Sequence, residues 1–271
     1  MRIHAFKALR PRDDLVKKVS AVPYDVVSRE EAVKLADGNP YSLLHVSRPE
    51  IDFPEKTDPY LDEVYKKAAQ NFENLIKSGA LVREKEACLY VYRQIAGGHS
   101  QTGVVACCHI EDYASNLIKR HEKTRTEKEN DRTRLVLELN ANIGPEFLMY
   151  RNDRKIDDRI EMIQTEQPIY DFTSPDGVRH SVWKIVSDGI LEKLFGKIPF
   201  FYIADGHHRA AAAVRAGNEL KKKNRNHSGD EQYNWFLSVM FPASQLQIMP
   251  YNRLVKDLNG MDTSVFLQRK R

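Results

Sequence analysis

Apolar positions recur at helical spacing over Leu61, Val64, Tyr65, Ala68, Phe72, Leu75 and Ile76, and Gly79 follows. The stretch after Asp58-Pro59 therefore reads as an amphipathic helix with one face toward a core. Two β-rich runs, Ala87 to Ile95 and Gln101 to Ile110, flank Gly97-Gly98-His99-Ser100, a hairpin signal. A second pair, Pro168 to Thr173 and Val178 to Val186, flanks the turn Ser174-Pro175-Asp176-Gly177. Shorter apolar runs at 3–9, Leu43 to Val46, Phe147 to Tyr150, Phe200 to Ala204, Trp235 to Phe241 and Leu246 to Met249 read as strands. Ser28 and Glu31 form a capping box for a helix that Asp37-Gly38-Asn39-Pro40 stops. Ser187 is placed to cap another helix, which runs through Leu194 and ends at Gly196. Residues 113–140 read as one charged helical stretch, broken by Asn142-Ile143-Gly144-Pro145. Residues 151–165 read as a surface helix and 217–231 as a solvated polar loop.

This alternation predicts an α/β (α+β) fold with a mixed sheet and flanking helices. It is one domain over 1–271, with residue 145 as the place for a sub-domain break. The composition, 41% hydrophobic and 30% charged, is that of an ordinary globular chain. A net charge of +4 does not call for nucleic acid, because clustering decides that and the clustering here is weak. Cys88, Cys107 and Cys108 contain no CxxC pair, which argues against a cysteine zinc site and for free thiols in a reducing compartment. The N-terminus lacks the apolar core of a signal peptide, and no run approaches the roughly 20 apolar residues of a membrane span. A cytoplasmic location with no membrane partner is the expectation.

The chemistry concentrates at Asp205-Gly206-His207-His208-Arg209, between an apolar strand and the helix begun by Ala210 to Ala213. Cations in a first helical turn oppose the helix dipole, and that opposition makes sense where an anion binds. Free N–H groups at the helix start add to the same pull, and Arg209 can fork onto phosphate oxygens. A second cationic stretch spans 119–134. If it is helical, His121, Thr124, Arg125, Lys128 and Arg132 share one face, with Glu122 and Glu129 beside them. The plainer alternative is a surface helix held by pairs such as Lys123 with Glu127. No metalloprotease His pair, phosphate-binding P-loop or G-x-S-x-G elbow occurs. His207 and His208 are adjacent and diverge on a helix, so no metal site built from a protein cluster is expected.

The turn Asp205–Arg209 with its Ala-rich helix resembles the phosphate-binding motif of the ParB/sulfiredoxin superfamily. More closely, the chain looks like an uncharacterised bacterial and archaeal branch known only as a domain of unknown function. That resemblance extends over Ala21 to Ser28, Gly38 to Tyr41, His45-Val46, Arg120 to Thr124, Asp131-Arg132 and Pro250-Tyr251-Asn252-Arg253. It implies a ParB/sulfiredoxin-like core that handles nucleotides, since ParB proteins bind a nucleoside triphosphate, sulfiredoxins use ATP, and a related group phosphorylates free serine. Carried over, Gly206, His208 and Arg209 contact phosphate, and Asp205 assists magnesium or the acceptor hydroxyl. His207 stands where sulfiredoxin has its reactive cysteine, which argues against sulfinic-acid reduction. Members of the branch tend to be longer, which implies either a shortened version or a missing C-terminal portion.

The expectation for function is a nucleotide-dependent phosphotransferase acting on a small hydroxyl compound, similar to the serine kinases, with ATP or ADP and Mg as cofactors. His121, Thr124, Lys128 and Arg132 would add to the nucleotide-binding surface. Asp205, His207, Glu122 and Asp25 are the candidates for proton transfer, and the sequence does not choose among them. A nucleotide-binding regulatory module without catalysis is the first alternative. A nucleic-acid-binding protein, resting on the basic runs 119–134 and 221–225, is the second.

Overall fold

The structure is a computed structural model, and it describes residues 1–250, 252 and 254–269. Tyr251 and Arg253, part of the Pro250–Arg253 motif, lie outside the described residues. In chain order the first elements are β1 (Ile3–His4), β2 (Leu9–Pro11), α1 (Val16–Val19), α2 (Arg29–Ala36), α3 (Leu44–Ser47) and α4 (Asp62–Lys77). Next come β3 (Leu81–Arg83), β4 (Cys88–Ala96), β5 (His99–His109), α5 (Ile110–Ala114), β6 (Ile118–Lys119) and α6 (Thr126–Leu139). They are followed by β7 (Glu146–Tyr150), α7 (Arg154–Ile163), β8 (Tyr170–Thr173), β9 (Arg179–Val186) and α8 (Ile190–Phe195). The chain closes with β10 (Phe201–Asp205), α9 (His207–Lys223), β11 (Trp235–Pro242) and α10 (Thr263–Arg269).

The expected mixed sheet with flanking helices is present as a 9-stranded sheet in the order β6-β10-β7-β11-β5-β4-β9-β8, with β1 beside β5. The β6–β10 and β7–β11 pairs are parallel and the other pairs on this path are antiparallel. Both hairpins form: Ala96 pairs with His99, and Thr173 pairs with Arg179. Strands on either side of residue 145 belong to this one sheet.

Alternate positions of the strands, such as Val104, Ala106 and Cys108 of β5 or Phe201 and Ile203 of β10, enter one hydrophobic core. That core continues into Ile156 and Ile160 of α7, Leu191 and Phe195 of α8, and Ala210, Ala213 and Val214 of α9. The alanines let α9 lie close to the sheet, and Phe201, fully buried, packs its ring against Phe195 at 5.8 Å. Burying such a ring is worth roughly 1.5–3 kcal/mol in transfer free energy. A second core sits outside α6, where Leu135 and Leu139 meet Tyr65, Ala68 and Leu75 of α4 and Val19 of α1. Helix α6 is thus held between α9 and the N-terminal helices.

Several local expectations are corrected. Leu43 to Val46 is not a strand: Leu44–Ser47 is a short helix whose Leu44 and Val46 are both buried. An apolar quartet carries no period of its own, and packing decided its form. The stretch 113–140 is not one helix. It divides into the end of α5, the two-residue strand β6, a loop and α6, for which Arg125 is the N-cap residue. The polar segment 217–231 is not a loop throughout, since α9 runs to Lys223 and ends on three lysines that suit the negative helix terminus. Leu246 to Met249 forms no strand, and Ile248 and Met249 are exposed. Ser187 accepts a hydrogen bond from Gly189 N (3.2 Å) but stands two residues too early to cap, and Gly189 is itself the N-cap of α8. The Ser28–Glu31 capping box forms as expected.

Candidate functional site

Strand β10 ends at Asp205, and the chain turns into α9 through Gly206 at φ +95°. Few L-residues adopt that conformation. Space imposes a second constraint: a Cβ at residue 206 would stand 2.4 Å from Glu146 Oε2 and 2.9 Å from Arg209 Nη2. Gly206 caps the helix without a side chain, so no N-cap side-chain hydrogen bond forms. The 17-residue helix therefore points free N–H groups and its positive dipole end out of the turn.

Glu146 opens β7, which runs antiparallel to β10, so its carboxyl lies beside the end of β10. The pairing slips between Ile203 and Asp205, an irregularity that places the turn over Glu146. Glu146 is only 2% exposed, and its Oε2 has no hydrogen-bond partner. Burial pushes its carboxyl well above the ordinary carboxylate range. The Arg209 charge and a hydrogen bond from the Ala210 backbone oppose that shift, and Asp205 and Asp25 add to it.

Arg209 donates from Nη2 to Asp205 Oδ2 at 2.8 Å, while its Nε is buried and unpartnered. Gly144 leaves room beside it, where a Cβ would meet Arg209 Cδ at 3.4 Å. Asp205 is exposed, so this ion pair stands at the mouth of the site. Tyr24 and Asp25 approach from the N-terminal layer. Burial raises the Tyr24 phenol, which feels the charges of Arg132, Asp25 and Arg209.

The two histidines reach the loop before α6. His208 Nε2 accepts from Arg125 N at 3.0 Å, and His207 Nε2 accepts from His121 N at 3.4 Å. The His121 and His207 rings meet edge to face at 4.4 Å. Glu122 lies 3.8 Å from His207 Nδ1 and is largely exposed. Burial lowers the His207 pKa, and the neighbouring His121 lowers it further. A neutral His207 that accepts at Nε2 carries its proton on Nδ1, toward Glu122.

The shared helical face expected for the second stretch does not exist, because His121 and Thr124 precede the helix and Arg125 is its N-cap. Thr124 Oγ1 donates to Glu129 Oε2 at 2.7 Å. Lys128 is exposed on the first turns of α6. Arg132 is committed elsewhere: it stacks over Tyr24 at 4.1 Å, pairs with Asp131 at 2.6 Å and donates to the Ser47 carbonyl at 3.1 Å. The loop still faces the turn, but through its backbone.

Glu146 is the residue that sequence reasoning missed. A lone Glu after Gly144-Pro145 and before an apolar run looks like a strand-edge residue, and only the three-dimensional pairing shows it buried. Among the described residues no group of three or more His, Cys, Asp or Glu side chains could hold a metal ion. A surface cavity of about 410 Å³ is lined by Val33, Asn39, His45 and Ile51 and shares no residue with the turn. Both ring nitrogens of its His45 are engaged, with Asp52 at 2.6 Å and the Asn39 carbonyl at 3.2 Å. No helix among the described residues is long and apolar enough to cross a membrane.

Comparison with known proteins returns one family model, described as Protein of unknown function (DUF1015), which matches residues 3–271. No curated protein and no solved structure matches the chain.

Proposed function

The chain belongs to the DUF1015 family, and from the geometry of its own turn we propose that it is a nucleotide-dependent phosphotransferase acting on a small hydroxyl compound. The observation that carries this reading is the uncapped start of α9, opened by Gly206, with a buried and unpartnered Arg209 Nε in the same turn. Free helix N–H groups and a guanidinium are the donors a terminal phosphate takes. The ParB/sulfiredoxin resemblance of Asp205–Arg209 supports the same anion.

The roles of the residues follow from their positions. The N–H groups of His207 to Arg209 and the guanidinium hold phosphate, and Asp205 orients Arg209 through their ion pair. His207 and His208 fix the 121–125 loop as one wall. With no such cluster among the described residues, Mg²⁺ would arrive with the ATP or ADP phosphates and neutralise their charge. A thermal-shift series with ATP and ADP, each with and without Mg²⁺, tests binding. Turnover is then measured with L-serine and a panel of small alcohols. A nucleotide-dependent rise in melting temperature that Arg209→Ala abolishes is expected. No rise at millimolar nucleotide overturns the reading.

The commitment of both histidines to backbone contacts favours one alternative, a nucleotide-binding regulatory module without catalysis. Nucleotide binding with no turnover on any alcohol would select it.

A further inference from the structure

His45 stands on α3 and lines the surface cavity together with Asn39. Its Nδ1 lies 2.6 Å from Asp52 Oδ1, and its Nε2 lies 3.2 Å from the Asn39 carbonyl oxygen. The second Asp52 oxygen accepts from Asn71 Nδ2 at 2.7 Å, and that amide also donates to the His45 carbonyl at 2.8 Å. A carbonyl and an ionised carboxylate only accept hydrogen bonds. An imidazole that serves both must carry a proton on each nitrogen, so His45 is an imidazolium in this arrangement. A neutral ring would keep one of the two bonds and turn a lone pair toward the other acceptor.

The two ends of α3 are tied to different parts of the molecule. Toward its start, Asn39 joins α1 through its side chain, which donates to the Lys18 carbonyl at 2.8 Å and accepts from Tyr41 N at 3.2 Å. At its end, the Ser47 carbonyl accepts from Arg132 at 3.1 Å, and Arg48 Nη1 donates to the carbonyls of Tyr24 and Val27, each at 2.8 Å. Tyr24 sits in a turn closed by Val26 N on the Pro23 carbonyl at 3.3 Å, and its ring stacks on Arg132. Arg132 belongs to α6, whose N-cap residue Arg125 donates its N–H to His208 in the first turn of α9. Helix α3 is therefore a strut between the His45 contacts and the wall beside Asp205–Arg209. We propose that His45 is a pH-sensitive latch: its imidazolium ties Asn39 to Asp52 across α3, and loss of the proton frees the segment 38–43 and loosens the Tyr24 turn. The latch stands whether or not the Asp205–Arg209 turn carries a nucleotide.

The bond to Asp52 raises the proton affinity of His45 above its ordinary 6.5, while burial and the charge of Lys67 on α4 oppose it. Burial works against ionisation of Asp52, yet the bonds from His45 and Asn71 hold its carboxyl below the ordinary range. Asp52 and Lys67 are the charged groups that face the ring, and Asp37 lines the same cavity from the end of α2. Because the folded value is the raised one, the latch is complete below about pH 6.5 and is lost as pH rises through the folded value.

The test follows amide hydrogen exchange of the whole chain, corrected for intrinsic exchange, from about pH 6 to about pH 9 in wild type, His45→Gln and Asp52→Asn. Wild-type protection at residues 24–27 and 38–48 is expected to fall about 10-fold or more as pH rises, because a hydrogen bond from a charged donor is lost. Protection in His45→Gln should start at the low value and stay there. Asp52→Asn should keep the fall but move it to lower pH, a shift that a purely structural role for Asp52 would not give. Wild-type protection that is constant with pH overturns the latch, and so does an equal fall in His45→Gln. If the variants do not fold, the His45 ring is titrated by NMR in wild type, and a pKa at or below the ordinary 6.5 overturns it.

Discussion

Gly206 and Glu146 are in direct contact across two strands, with no space for a β-carbon at residue 206: that atom would lie 2.4 Å from Glu146 Oε2. The backbone there is also left-handed, at φ +95°. Gly206→Ala therefore combines strain with overpacking. Gly177, at φ +85° with open space around it, isolates the first effect. Gly177→Ala is expected to destabilise by about 1–2 kcal/mol. Gly206→Ala should lose a further ~1–3 kcal/mol for the clash. Urea midpoints of the two variants check this, and equal losses would show that Glu146 moves aside freely.

Arg209 brings the strongest donor to the turn. Arg209→Ala removes a charge-assisted contact worth about 1.5–3 kcal/mol, so nucleotide affinity should weaken roughly 10- to 100-fold. Asp205→Asn removes only the ion pair that orients Arg209 at 2.8 Å and should weaken affinity less. Isothermal titration with ATP ranks the two, and the reverse order would place the phosphate elsewhere.

The buried carboxyl of Glu146 makes stability depend on pH. Its folded pKa lies well above the ordinary 4.5, so between those two values the folded chain binds more protons than the unfolded one. Stability from this group is complete below about pH 4.5 and is lost as pH rises through the folded value. Glu146→Gln lacks that loss. The urea midpoint of wild type should drop relative to the variant as pH rises above about 4.5, where the unfolded chain ionises first. Parallel profiles would mean that Glu146 is ionised throughout.

Phe201 and Phe200 are neighbours with opposite environments. Phe201 is fully buried against Tyr150 and Phe195, while Phe200 is 38% exposed beneath Lys119. Phe201→Ala should cost about 3–5 kcal/mol. Phe200→Ala loses little more than an exposed cation–π contact of roughly 0.5–1 kcal/mol. Thermal unfolding of both variants measures the difference.

Elements with their own local code were legible in the sequence. The α4 stripe, the Ser28–Glu31 capping box, both hairpin turns and the Asp205–Arg209 strand-to-helix turn all carry periodicity or turn chemistry within a few residues. What could not be read depends on contacts far apart in the chain. Residues 120–125 look helical by charge spacing, yet His207 and His208 take hydrogen bonds from their backbone at separations of 86 and 83 residues. Arg132 looked free for a ligand, and its stacking partner Tyr24 lies in another layer. Glu146 was missed for the same reason, since its burial comes from β10 and α9 rather than from its neighbours.

The strand order also bears on how the chain acquires its shape during synthesis. The group β6-β10-β7 and the group β5-β4-β9-β8 are joined in the sheet by β11 alone. Strand β11 pairs with residues as early as Val104 on one side and Glu146 on the other. A nascent chain that has not yet released Trp235–Pro242 therefore holds two separate ribbons, each with an unpaired apolar edge. Such edges are open to mispairing between chains. The turn at 205–209 belongs to one ribbon, so its orientation toward the rest of the molecule is set by a strand made after it.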